Sequence, residues 1–112
     1  VEGMRSKIAV LETRCEEVGR RVEEIELTWC GEFRVVSSRD AKRAALDEMA
    51  KRRGQSPDEV ESLCLVGEPA ELEERIRAYE AVGVGHMILS ASAPFDHDSL
   101  RRFADEVMPR FR

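Results

Sequence analysis

The stretch Val66-Gly67-Glu68-Pro69-Ala70-Glu71-Leu72-Glu73-Glu74-Arg75-Ile76-Arg77-Ala78-Tyr79-Glu80-Ala81-Val82-Gly83-Val84-Gly85-His86-Met87-Ile88-Leu89-Ser90 decides the fold. It reads as a short strand end, a turn, an amphipathic helix over 69–82, a glycine stop and a strand over 86–91. Pro69 suits the first helical position, where its missing N–H is no loss. Leu72, Ile76 and Tyr79 recur at helical spacing and make one apolar stripe. Gly83 suits the left-handed residue that closes a helix. Met87-Ile88-Leu89 is a compact apolar run, as expected of a strand covered on both faces. A helix feeding such a strand predicts a parallel α/β sheet.

Working outward, the preceding chain repeats this grammar. Over 4–18, Ile8, Leu11, Cys15 and Val18 form a helical stripe, and Gly19 ends it. From Glu24 the pattern alternates, with Ile25, Leu27 and Trp29 on one face, so 24–29 is expected to be a strand. Gly31 then interrupts, and Phe33-Arg34-Val35-Val36 offers a second short extended piece. A helix over 38–53 follows. Ser37 and Asp40 have capping-box spacing, Ala41, Ala45, Leu46 and Met49 face inward, and Lys51-Arg52-Arg53-Gly54 makes a basic last turn and a stop. Ser56-Pro57-Asp58-Glu59 starts a helix over 57–64, in which Val60, Leu63 and Cys64 are the apolar positions. A last helix over 98–108 is capped by Asp96 or Asp98, buries Leu100, Phe103, Ala104 and Val107, and stops at Pro109.

A helix between two strands of one sheet implies a right-handed parallel crossover. Two such strands leave bare edges of unpaired N–H and C=O groups. The chain is therefore expected to be a partial domain or to self-associate. Its opening on Val1 fits a longer parent polypeptide.

Composition narrows the function classes. The 112 residues are 42% apolar and 37% charged, enough for one globular core. A net charge of −5 argues against nucleic acid and anionic membranes as partners. No window is apolar enough for a membrane helix, and no secretory signal pattern opens the chain. Cys15, Cys30 and Cys64 are odd in number and lack metal-ligand spacing. They are expected to be buried thiols in a reducing cytoplasm, with no metal bound.

Three passages resemble one family. Glu16-Glu17-Val18-Gly19-Arg20 with Val22-Glu23-Glu24-Ile25-Glu26-Leu27 is similar to the passage from the sixth helix to the seventh strand of luciferase-like oxidoreductases. Val66-Gly67-Glu68-Pro69-Ala70-Glu71, with Arg75-Ile76, Tyr79, Ala81 and Gly83, resembles the start and body of their seventh helix. His86-Met87-Ile88-Leu89 and Phe103-Ala104-Asp105-Glu106-Val107-Met108-Pro109 resemble the eighth strand and helix. The sequence departs from that pattern at Glu68, where Thr or Ser is usual and Glu is expected to cap poorly, and at Arg21-Val22, where Asp-Pro is frequent.

The resemblance implies the C-terminal β/α units of a (β/α)8 barrel, the fold of bacterial luciferase. It implies a parent enzyme that transfers hydride with FMN or the deazaflavin coenzyme F-420. The cofactor would be held mainly by earlier strands, so this segment alone is expected to bind none and to be inactive. Its partners would be the rest of the barrel or further copies of itself. The alternative is a non-catalytic α/β module, derived from the same barrel, that acts through self-association or a partner.

Candidate substrate contacts follow from the same placement. Trp29 and Cys30 would stand where the seventh strand ends, and Ser90 and Ser92 where the eighth ends. Arg39 and Arg43, with Lys42 between them, open the inserted helix, where guanidinium suits an anionic substrate group. Each position also has an ordinary structural explanation: a core aromatic, a loop hydrogen bond, a solvated helix face. His86 is expected to be a satisfied structural histidine. His97, between Asp96 and Asp98, is expected to sit in a solvated cap. No catalytic triad spacing, paired carboxylates across a cleft, or glycine-rich phosphate loop stands out.

Overall fold

The computed structural model describes residues 1–111. The elements run α1 Glu2–Val18, β1 Leu27–Val35, α2 Arg39–Arg53, α3 Pro57–Leu63, β2 Leu65–Gly67, α4 Pro69–Ala81, β3 Val84–Ser90 and α5 His97–Arg102. A single turn of 3-10 helix at Val22–Glu24 precedes β1. Beyond α5 the chain widens into a π-type turn, Phe103–Val107, and ends in a 3-10 turn, Met108–Phe111.

The three strands form one open parallel sheet in the order β2-β1-β3. β1 and β3 are neighbours, as expected of the two main strands. The short strand end read at Val66-Gly67 is a true third strand, with Phe33 opposite Leu65 and Val35 opposite Gly67. The sheet does not close, so the described residues make a generic α/β layer and not a barrel.

Side-chain alternation separates two cores. Trp29, Phe33 and Val35 of β1 point to one face and pack with Leu65, Leu72, Tyr79, Val84, Phe103 and Val107, under α4 and the C-terminal helical segment. Val36 and Val66 point the other way and pack with Ala45, Leu46, Met49, Val60 and Cys64, under α2 and α3. Trp29 tilts against Tyr79 at 5.6 Å, and Phe33 meets Phe103 edge-on at 5.2 Å. Such pairs add about 0.5–1.5 kcal/mol beyond their buried area.

Local rules explain most helix ends. Gly19 and Gly54 take left-handed backbone (φ 72° and 68°), which a side chain at either position would strain. Ser56 accepts from the Glu59 N–H and the Glu59 carboxylate reaches back, a complete capping box after which Pro57 enters the helix. At α4 the Glu71 carboxylate accepts from the Glu68 N–H, so this start is supported in spite of the unusual Glu68.

Several expectations are corrected. β1 does not stop at residue 29; it runs through Gly31 to Val35. The indole of Trp29 lies over Gly31, where any Cβ would collide with it, so glycine here accommodates the ring and does not break the strand. Ile25 lies outside the strand. The cap of α2 is Ser38, whose hydroxyl accepts from the Ala41 N–H, and not Ser37. In the C-terminal helix the inward stripe is Ser99, Phe103 and Val107, while Leu100 and Ala104 are exposed. Val18 and Leu63 are likewise exposed.

The most informative correction concerns β3. Its Met87-Ile88-Leu89 run is not covered on both faces: Ile88 is 46% exposed, because β3 is an edge strand with a helix layer on one side only. α1 also projects. Its residues Met4, Ile8 and Leu11 are half-buried and only Cys15 is fully inside. The resulting radius of gyration of 15.6 Å exceeds the roughly 13 Å of a compact chain of this length.

Candidate functional site

The residues singled out as substrate contacts fall in three separate places. Trp29 and Cys30 lie in mid-strand, because β1 continues to Val35. They border a cavity of about 490 Å³ together with Val1, Met4, Lys7, Leu63 and Tyr79. This cavity follows the lower edge of β1, since β2 pairs only with Phe33 to Val35 and leaves the edge before them free. Trp29 is 6% exposed and belongs to the core, so its structural explanation holds. Cys30 is exposed on the opposite face, against the expectation of a buried thiol, whereas Cys15 and Cys64 are buried. Burial pushes the Cys64 thiol up, against the pull of Arg53.

Arg39 and Arg43 stand on the first turns of α2 and are exposed. They line a groove of about 650 Å³ with Asp40, Lys42, Asp47, Asp58 and Glu61. Lys42 is already engaged. Its ammonium donates to Glu71 and lies 2.8 Å from Glu61, pinning α2 to α3 and α4. Burial disfavours the charged ammonium, but the two carboxylates outweigh it and hold the Lys42 pKa above its ordinary value of 10.5. With carboxylates and guanidinium groups interleaved, this groove is no flat apolar slot for an isoalloxazine ring. The residues lining it do not by themselves fit a flavin.

Ser90 ends β3 opposite Glu32 and is exposed. Ser92 borders a small cleft with Glu32, Arg34, Asp96 and Ser99. Here the structure supplies residues that sequence reasoning passed over. Glu32 is 7% exposed, and its carboxylate is clamped by Arg52 at 2.6 Å and Arg53 at 3.2 Å. The basic turn that ends α2 therefore seats on the sheet as well as complementing the helix dipole. Arg34 is paired in the same way with Glu48 of α2 at 2.9 Å.

Ser99 replaces a missing strand. β3 ends at Ser90, level with Glu32, so the Val35 N–H finds no partner there and donates instead to the Ser99 hydroxyl at 3.0 Å. That hydroxyl in turn lies 2.8 Å from the Asp96 carboxylate, which also accepts from the Ser99 N–H. Burial works to raise the Asp96 pKa, but these bonds prevail and hold it below its ordinary value of 3.8. Asp96 is thus the cap of α5, while Asp98 pairs with Arg101 and His97 is exposed. His86 is exposed as well, beside Thr28 on the uncovered side of the sheet, and not a packed structural histidine.

An alternating pattern in Thr28, Cys30, Glu32 and Arg34 could have revealed that these side chains share one face. The sequence holds no signal that α2 would cover only the Glu32 end of it. Among the described residues no group of His, Cys, Asp and Glu is placed to hold a metal ion, and no helix is long and apolar enough to cross a membrane. Compared with protein-family models, curated proteins and solved structures, the chain finds no match in any of the three.

Proposed function

We propose that this chain is the C-terminal set of β/α units of a luciferase-like barrel oxidoreductase, whose parent activity is hydride transfer with FMN or the deazaflavin coenzyme F-420. The sequence resemblance is the origin of this proposal. The structural observation that carries it furthest is the one-sided cover of the β1–β3 pair below Glu32, the level at which α2 closes over the other face. α4 and the C-terminal helix pack on the Trp29 and Phe33 face, while Thr28, Cys30, His86, Ile88 and Ser90 stay exposed on the other. A sector of barrel wall has this form: helices outside, and an inner face that only the remaining strands complete.

β2 departs from the sequential strand order of a barrel. With α2 and α3 it is an excursion inserted between the two wall strands. It lies where β1 ends, and barrel enzymes place their sites at that rim. On this proposal Arg39 and Arg43 meet an anionic group of the substrate, while Ser90 and Ser92 offer hydroxyls from the adjoining strand end. The hydride chemistry belongs to the cofactor, which other parts of the barrel hold. The segment's own task is to position substrate.

The test compares two proteins by fluorescence titration with FMN and with coenzyme F-420: this chain, and the product of the natural reading frame around it. The chain alone is expected to show no micromolar binding. The full product is expected to bind one of the two and to bleach it in the presence of a reducing substrate. A full product that binds neither, or a chain that binds tightly by itself, overturns the proposal.

A further inference from the structure

Among the described residues nothing pairs with the outer edge of β3, since β1 occupies the other side. Edge strands are normally shielded by charges, proline or a covering segment. In a chain that is 37% charged, no Asp, Glu, Lys or Arg occurs anywhere from Ala81 to Phe95. The one irregularity is a bulge between Leu27 and Thr28 of β1, which leaves Gly85 as the extra residue of β3; from His86 to Ser90 the strand runs in regular register. On the helix-covered side of the strand lies a groove of about 460 Å³ lined by Ile76, Val84, Met87 and Phe111 with charges from Arg77, Glu80 and Arg110.

We propose that this edge pairs with the same edge of a second copy of the chain. The occupant must be extended and unpaired, and apolar where its side chains turn to the groove side, where a charge would lose water; an uncharged segment of about five residues meets this. The molecule carries such a segment in β3 itself. Two copies related by a two-fold axis meet antiparallel, and the self-contact is isologous. Of the centres that keep Gly85 outside, Ile88 on the axis is the one that pairs the whole regular run from His86 to Ser90 with itself. Ile88 then stacks on Ile88 of the partner subunit across the uncovered face, which lowers its 46% exposure. Met87 falls opposite Leu89 of the partner subunit on the groove side, and His86 opposite Ser90 of the partner subunit. No like charges are brought together. The product is a continuous sheet of two three-stranded halves.

This pairing concerns the chain by itself and competes for the same edge with the barrel strand that the oxidoreductase proposal requires. In a closed barrel the β3 edge belongs to another strand of the same barrel, whereas the chain on its own has it free. Analytical ultracentrifugation of the 112-residue chain across the micromolar range is expected to show a reversible dimer. Ile88→Lys sets two ammonium groups face to face on the axis and is expected to weaken the dimer by at least about tenfold. The circular dichroism spectrum should not change, because the side chain is surface-exposed. In a Cys30→Ser background, which removes the thiol facing position 88 within one copy, Ile88→Cys is expected to form an intermolecular disulfide on oxidation. Antiparallel partners have Cα atoms about 4.5–5.5 Å apart, within disulfide reach. A strictly monomeric wild-type chain, a dimer indifferent to Ile88→Lys, or an Ile88→Cys variant that stays reduced would each overturn the pairing.

Discussion

β1 and β3 invert what their compositions suggest. β1 carries Glu32 and Arg34 yet is the central strand, with Trp29, Phe33 and Val35 in one core and Glu32 itself nearly enclosed. β3 carries no charge at all yet exposes His86, Ile88 and Ser90. Burial here follows position in the sheet and not the hydrophobicity of the strand. A central strand tolerates charge when a helix brings the counter-charge to it, as α2 brings Arg52 and Arg53 to Glu32. An edge strand remains open however apolar it is, because nothing in the described chain reaches over it.

The sharpest way to break this contrast is to truncate one apolar side chain on each strand. Phe33→Ala removes a ring packed against Phe103 and is expected to cost about 3–5 kcal/mol in urea denaturation. Ile88→Ala, measured at concentrations too low for association, should stay within about 0.5 kcal/mol of wild type. Similar losses from the two strands would show that β3 is as enclosed as β1.

A smaller effect is expected at the charged part of β1. Glu32→Ala leaves two guanidinium groups, each about one-third exposed, facing an apolar sheet, and should cost about 2 kcal/mol by the same assay. Double-mutant cycles with Arg52→Ala would then separate the pair from the cost of the orphaned charge.

The smallest effect is a pH dependence on the β2 side. The Lys42 pKa is raised in the folded chain, so its contribution is complete below the ordinary value of 10.5 and is lost as pH rises through the higher folded value. Urea midpoints should therefore fall more steeply in that alkaline window for wild type than for Lys42→Met. Equal slopes would remove Lys42 as the tie between α2 and its neighbours.

Much of this was legible in the residues because it is local. Gly19, Gly54, Pro57 and Pro69 mark helix ends through backbone stereochemistry, and the structure has helix ends at each. The stripes Ala45-Leu46-Met49 and Leu72-Tyr79 are buried as their spacing predicts. Position in the sheet was not legible. The same alternation would suit an edge or a central strand, so the exposure of Ile88 and Cys30 could not be foreseen. Gly31 looked like a stop because its reason for being glycine, the Trp29 ring, acts across two residues of folded strand. Four of the six candidate contacts were grouped by expected strand ends, and the longer β1 separated Trp29 and Cys30 from Ser90 and Ser92; Arg39 and Arg43 stand in a groove of their own.

The sequence by itself determined most of the helix ends, the buried stripes of α2 and α4, and that β1 and β3 lie parallel and adjacent. Those features depend on neighbours a few residues apart and on the handedness of the chain. Only the tertiary structure decided that β2 joins the far side of β1, that Arg52 and Arg53 close on Glu32, and that the uncharged β3 stands at the rim of the sheet. These outcomes rest on contacts between residues far apart in the chain, whose geometry exists only once the layers have packed.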